Sequence, residues 1–323
     1  GQPGIHHVQA RSFKDLFPRF RTMQGYFVPR KAGWDTHGLP VELGVEKKLG
    51  LNSKRDVEAY GIGKFNAQCR ESVSLYENEW RRFTERMGYW VNLDDPYMTL
   101  NKEYIESVWW SLKRLDEKGL LYKGFRVAPY CPRDGTTLSN AEVSEGYKDI
   151  QDPSVYITFD LKEPGALGLP DGAAFLVWTT TPWTLPYNVG VAIHPEFEYV
   201  AAKDEHGKVL VLARSLLTEV LGETAEVVRS FKGSELDRAP YSPPFTEAYE
   251  AEGEGKPVWM SGLDTYVSDS DGTGIVHTAP AFGEDDMRLS RNYGFPVIVG
   301  VDETGKHRFG PWKGVFFRDA NNA

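Results

Sequence analysis

At 323 residues the chain is long enough for two domains, each with its own core. Its 41% hydrophobic and 26% charged residues describe an ordinary soluble protein, and a net charge of −9 excludes binding to nucleic acid by bulk electrostatics. No apolar run approaches the roughly 20 residues that cross a bilayer, so no membrane partner is expected. Two distant cysteines, Cys69 and Cys131, predict a reducing cytoplasm rather than a disulfide framework.

The chain opens on GQPGIHHV without an initiator Met and closes on FFRDANNA, so an excised piece of a longer protein is expected. Between Arg11 and Lys31, the cations Arg11, Lys14, Arg19, Arg21, Arg30 and Lys31 oppose only Asp15. They form either a local strip acting on nucleic acid within a Debye length or a solvated surface with ion pairs. Gly25 to Glu42 (GYFVPRKAGWDTHGLPVE) reads as a strand entering a loop that holds Asp35 and His37. Gly33 and Gly38 would let a ligand approach the backbone, and a fixed carboxylate suits an ammonium group. A plain strand-to-helix turn explains the same residues.

Phe65, Val73, Tyr76, Trp80, Phe83 and Met87 recur at helical spacing and predict one helix over Lys64 to Tyr89. Ile105, Val108, Trp109, Leu112 and Leu115 predict another over Lys102 to Leu121, stopped by Gly119. The aromatic residues of both are expected in a core. YCPRDGTTLSNAEV (Tyr130 to Val143) resembles a zinc knuckle with Asp134 in place of its second cysteine. Cys131 and Asp134 make an unusual ligand pair, so zinc is not expected and no metal site is assigned.

After Asp152-Pro153 the texture changes to short β-branched and aromatic runs: VYITF, AAFLVWTTT, VGVAI, YVAA, KVLVL, GIVHTA and FPVIVGV. They predict a barrel-like β domain interrupted by helices at Ser215 to Leu221 and Glu284 to Tyr293. The domains are therefore expected to be 1–150 and 151–323. Two segments of the second carry chemistry. WTTTPWTLPYN (Trp178 to Asn188) offers three oriented hydroxyls, Thr179, Thr180 and Thr181, although threonines are also ordinary strand surface. GTGIVHTAPAFGEDD (Gly272 to Asp286) offers His277, equally a satisfied core histidine, and three acids heading a helix, which also serve as caps.

Together these two segments, with GWDTHGLPVE and EKKLGL (Glu46 to Leu51), resemble the class I isoleucyl-tRNA synthetases over essentially the whole chain. Leucyl and valyl relatives differ at the Thr36-His37 and Val41 positions, carry Arg-Pro where Thr181-Pro182 stands, and lack the histidine of His277. The resemblance implies an α/β plus β-barrel fold: a partial Rossmann-type catalytic domain with helical segments, and an inserted β-rich editing domain (connective peptide 1). Asp35, with His37 beside it, would hold the amino group of the amino acid being activated. The ATP signature His-(Ile/Val)-Gly-His is rearranged here to Gly4, Ile5, His6 and His7; only the last histidine keeps its place, which leaves the role of His6 open.

In the editing domain the resemblance implies that Asp286 binds the α-ammonium of a mis-attached amino acid. Thr179, Thr180 and Thr181 would contact its ester and place a water, Trp183 would wall the pocket and His277 would limit side-chain size. The terminal adenosine of tRNA would lie along Gly272, Thr273 and Gly274. The parent would be a monomeric ligase using ATP and Mg to join isoleucine to tRNA(Ile). Its editing site would hydrolyse Val-tRNA(Ile) with no cofactor, no metal and no protein nucleophile; a non-catalytic module that binds the tRNA acceptor end is the alternative. An unrelated β-barrel hydrolase would want a nucleophile elbow, which the sequence lacks. With its ATP signature rearranged and no KMSKS-like loop, this chain alone should give background ATP–pyrophosphate exchange, and clear exchange would refute that expectation.

Overall fold

A computed structural model describes residues 3–253 and 255–321. The chain divides between Gly124 and Phe125 into two compact units.

In the first unit, α1 (Ile5–Met23) begins at Gly4, whose amide is bonded to His7 Nδ1 at 2.9 Å. β1 (Lys31–Trp34) pairs in parallel with β2 (Asn92–Met98), and the crossover between them holds α2 (Leu39–Leu49), α3 (Lys54–Tyr60), α4 (Ile62–Ser74) and α5 (Glu77–Arg86). The single helix expected over 64–89 is thus two, broken at Leu75-Tyr76. Asp15 is buried and accepts from Arg19, from Arg30 at 3.4 Å and from the Trp90 amide at 3.1 Å. Arg11 bonds Thr84 at 2.5 Å and lies over Trp80, while Lys31 pairs with Asp95 at 2.8 Å. Most of the basic strip is therefore spent on internal partners, as the ion-paired reading requires.

α6 (Lys102–Glu117) stops where left-handed Gly119 lets its amide reach Asp116 O and the Leu120 amide reach Leu115 O. Its apolar stripe differs from expectation. No residue of α6 is buried among the described residues, and Trp109 is 67% exposed. A helical period reports an apolar face; burial needs a neighbour laid on it.

The second unit opens with the hairpin of β3 (Tyr130–Cys131) and β4 (Thr136–Thr137), then α7 (Asn140–Glu145) behind a Ser139–Glu142 capping box. β5 (Val155–Asp160) follows directly on Asp152-Pro153. Next come β6 (Ala174–Thr179), β7 (Gly190–Ile193), β8 (Glu198–Lys203), β9 (Val209–Ala213), α8 (Leu217–Leu221) and β10 (Glu226–Lys232). α9 (Glu247–Glu252), β11 (Met260–Leu263), β12 (Ile275–Thr278), α10 (Glu284–Tyr293) and α11 (Phe317–Ala320) complete it. The sheet order is β10-β8-β9-β6-β12-β7-β11, with β5 antiparallel along the other edge of β6. Isolated bridges Leu161–Tyr241 and Pro240–Met260 link the β5 edge to the β11 edge. The curled sheet encloses Phe159, Phe175, Val177, Val191, Tyr241 and Ile275.

FPVIVGV (295–301) forms no strand beyond one bridge at Val301. The Gly294 and Phe295 amides turn back to Ser290 O to close α10, Pro296 has no amide to offer, and Phe295 and Ile298 plug a second core. Conversely β10 and β11 lacked a signal: β10 is an edge strand with mostly exposed side chains, and β11 is only four residues long and includes Gly262. Phe159 is wholly buried and stacked on Tyr241 with centroids 5.0 Å apart. Phe159→Ala should lower the stability of this unit by about 3–5 kcal/mol, read as a fall in its unfolding midpoint by tryptophan fluorescence.

Candidate hydrolytic pocket

β6 and β12 run parallel and touch at one register pair, Trp178 with Val276. This sets the loop leaving β6 beside the end of β12, and α10 begins a few residues further on. A cavity of about 350 Å³ lies where the three meet. Of the expected residues, Thr179, Thr180, Thr181, Trp183, Thr273, Gly274, His277 and Asp286 line it. Gly272 lies just behind: its φ is +70°, and a Cβ there would fall 2.7 Å from the Trp178 ring.

The threonine loop is held by its own hydroxyls. Thr179 Oγ1 accepts from the Thr181 amide at 3.1 Å, and a short 3-10 turn, Pro182–Tyr187, then begins. Trp183 is fixed by its amide on Asn321 Oδ1 at 3.1 Å and by the rings of Phe282 and Phe317, each with its centroid 4.9 Å away. His277 is 6% exposed and bonded on both sides, through Nε2 to Thr184 Oγ1 at 2.7 Å and through Nδ1 to Asn188 Nδ2 at 3.1 Å. Burial lowers its pKa to about 4, so the ring is neutral. It is a satisfied histidine and a wall of the cavity at once.

Asp286 sits in the first turn of α10. It accepts from the Ala279 amide at 3.1 Å and from the Tyr266 hydroxyl at 3.3 Å. Burial pushes its pKa up to about 6 despite these bonds. No cation pairs with it among the described residues; nearby Arg288 is taken by Asp264 and Asp285. An ionised carboxylate left without a counter-charge beside a cavity suits a ligand that brings an ammonium.

Tyr266, Ser268, Asp271, Thr184 and Phe282 also line the cavity. Thr184 lies inside the quoted threonine motif and Asp271 directly before Gly272, so adjacency could have found them; Tyr266 gave no signal. The remaining expected residues belong to the first unit. Asp35 is exposed at the end of β1, and its carboxylate accepts from the His37 amide at 3.4 Å. His37 lines a separate cavity of about 240 Å³ with Thr36, Glu42, Asn66, Cys69 and Arg70. At the start of α1 the His6 and His7 rings lie 3.8 Å apart, and burial, then the neighbouring His6, lowers the pKa of His7. In the knuckle-like hairpin Cys131 Sγ meets Asp134 Oδ2 at 3.0 Å, the Arg133 guanidinium meets the other oxygen, and burial raises the thiol pKa.

The family model for class I tRNA synthetases (I, L, M and V) matches residues 1–279. The chain is 57% identical over its whole length to isoleucine–tRNA ligase of Thermus thermophilus, covering 30% of that protein. It is 52% identical over 94% of its length to the Thermobifida fusca ligase, covering 28% of it. The chain thus spans about 30% of the length of the curated relatives it matches. Among solved structures, GlLeuRS-CP1 aligns with 52% of this chain and 92% of its own at 14% identity and a TM-score of 0.41. The Plasmodium knowlesi cytosolic leucyl-tRNA synthetase editing domain aligns with 55% of this chain and 93% of its own at 9% identity, also at 0.41.

Because the Asp286 pKa is raised on folding, its favourable share of stability is full below about pH 4 and lost as pH climbs through 6. Asp286→Asn keeps an acceptor for Ala279 and removes the charge. It should raise stability by up to about 2–3 kcal/mol at pH 8, with the gain vanishing near pH 4. Melting temperatures compared across that range check the sign.

Proposed function

The chain belongs to the class I tRNA synthetases of the isoleucine, leucine, methionine and valine group, and on that premise we propose that its β-rich unit hydrolyses mischarged Val-tRNA(Ile). The observation that carries this is that the Asp286 carboxylate, without a cationic partner among the described residues, lines one small cavity together with Thr179, Thr180 and Thr181. Asp286 takes the α-ammonium, which fixes the ester carbonyl near the threonines. Their hydroxyls orient a water for attack. The water oxygen bonds the carbonyl carbon and the acyl–oxygen bond breaks; one water proton passes to the ribose oxygen of the terminal adenosine, and the other is released to solvent as the amino acid leaves as its carboxylate.

His277 takes no part as a base, since both nitrogens are engaged and the ring is held neutral. With Trp183 it limits the size of the side chain admitted, while Gly272, Thr273 and Gly274 run along the terminal adenosine. A separate, smaller pocket is needed because one methylene is worth only about 1–3 kcal/mol to an apolar synthetic site; the isoleucine–valine pair is itself the case on which that estimate rests.

In the parent, residues 1–150 would belong to a Rossmann-type catalytic domain. Asp35 would hold the amino group of isoleucine next to His37, and Gly4, His6 and His7 would meet the phosphates of ATP, with Mg as counter-ion. Residues 151–323 would be the editing insertion.

The test is release of amino acid from Val-tRNA(Ile) and Ile-tRNA(Ile) by this chain or its parent. Valine should be released selectively, Asp286→Ala should slow release at least about 100-fold, and the rate should rise with pH through about 6 as Asp286 ionises. Equal background release of both esters would sink the proposal and leave a module that binds the acceptor end.

A further inference from the structure

Ionised, the Asp286 carboxylate offers about four lone-pair sites on two oxygens and can only accept. The Ala279 amide takes one site at Oδ2, 3.1 Å away, and the Tyr266 hydroxyl takes one at Oδ1, 3.3 Å away. About two sites are left for the hydrogens of an ammonium. The direction of the Tyr266 bond follows from the charge: an ionised carboxylate has no hydrogen to give, so the tyrosine donates. The other hydroxyl facing Tyr266 is that of Thr278, which is buried and makes no hydrogen bond among the described residues. Between a neutral hydroxyl and a carboxylate, the carboxylate takes the hydrogen.

The turn after β11 places Tyr266. Asp264 Oδ1 accepts from the Tyr266 amide at 3.3 Å and from Arg288 at 2.9 Å, and the Arg288 guanidinium lies over the Tyr266 ring, 5.7 Å from its centroid. One side chain thus meets a cation on its face and the carboxylate at its hydroxyl. We propose that Tyr266 is a positioning residue of the hydrolytic pocket, whose hydroxyl holds the Asp286 carboxylate as the acceptor of the substrate ammonium.

Removing the hydroxyl costs the two states of Asp286 unequally. The ionised carboxylate loses one of its two donors, a charge-assisted bond, whereas the protonated acid loses one neutral bond at most. Protonation is therefore favoured in Tyr266→Phe. A bond of 3.3 Å is long for two oxygens, so the shift is modest, about half a pH unit upward. The charged groups around the carboxylate do not make up the loss. On α10, Asp285 opposes ionisation, Glu284 is an exposed acid, and Arg288 is engaged by Asp264 and Asp285. The loop between β11 and β12 brings only the acids Asp264, Asp269 and Asp271, and His277 on β12 is neutral.

This inference rests on the hydrolytic reading for its consequence, but the bond itself can be measured without activity. In carbon-13 NMR of the unmodified chain the Asp286 carboxyl carbon should titrate near pH 6, and Tyr266 Cζ should move with the same midpoint. In Tyr266→Phe, with the fold checked by circular dichroism, the Asp286 midpoint should rise by about half a unit. Valine release from Val-tRNA(Ile) at low substrate should then fall about 3-fold at about pH 5 and stay nearly unchanged at about pH 7.5, whereas a merely loosened pocket would lower it at both. A Tyr266 Cζ signal that ignores the Asp286 titration would overturn the proposal even if Tyr266→Phe failed to fold. So would an unmoved Asp286 midpoint in the variant, or an equal loss of rate at both pH values. If the unmodified chain releases no valine, the hydrolytic reading fails, and the carbon titrations alone still decide whether Tyr266 governs Asp286.

Discussion

β6 is shared among three strands, and the way its second edge is divided determines where the pocket can be. Along one edge it is fully paired with β5. Along the other, its first residues, Ala174 and Phe175, pair with β9, and only Trp178 pairs with β12. At the hand-over the end of β9 is tied to the segment that enters β12, the Ala213 amide meeting Thr273 O at 2.8 Å, and the cavity is lined by the residues that leave β6 and by those of β12. Moving the Trp178–Val276 pair by one residue would turn His277 to the opposite face of the sheet. The threonine hydroxyls would then face a different side chain.

Two buried polar groups of the pocket are treated in opposite ways. His277 is enclosed and given a partner on each nitrogen, so it is neutral and rigid. Asp286 is enclosed with two neutral donors but no cation among the described residues, although Arg288 lies two residues along the same helix. Arg288 is drawn to the other side by Asp264 and Asp285. The fold thus withholds a counter-charge that it has within reach, and the carboxylate keeps an affinity for cations that a satisfied ion pair would have spent.

Legibility in the sequence followed how local the cause was. α10 matches its expected span, since three first-turn acids and left-handed Gly294 mark its ends within the sequence itself. β5 to β9 and β12 were readable from β-branched runs. The break at Leu75-Tyr76 carries no glycine or proline, and the exposure of Trp109 depends on what lies against α6, so neither is written in a local pattern. FPVIVGV has strand composition but serves as a plug under α10. At the pocket, Thr179, His277 and Asp286 were each ambiguous alone; it was the resemblance that joined segments some 90 residues apart. Tyr266 and Tyr241 were silent, because a tyrosine whose hydroxyl has a buried partner looks in sequence like any core aromatic.

The bridge at Tyr241 joins residues far apart along the chain, pairing with Leu161, while its neighbour Pro240 pairs with Met260. Contacts of such long separation form late in folding, after local strands and turns. The hydroxyl of the same tyrosine is bonded to Asn188, a partner of His277. The cavity is thereby completed only once the long-range contacts that close the sheet are in place.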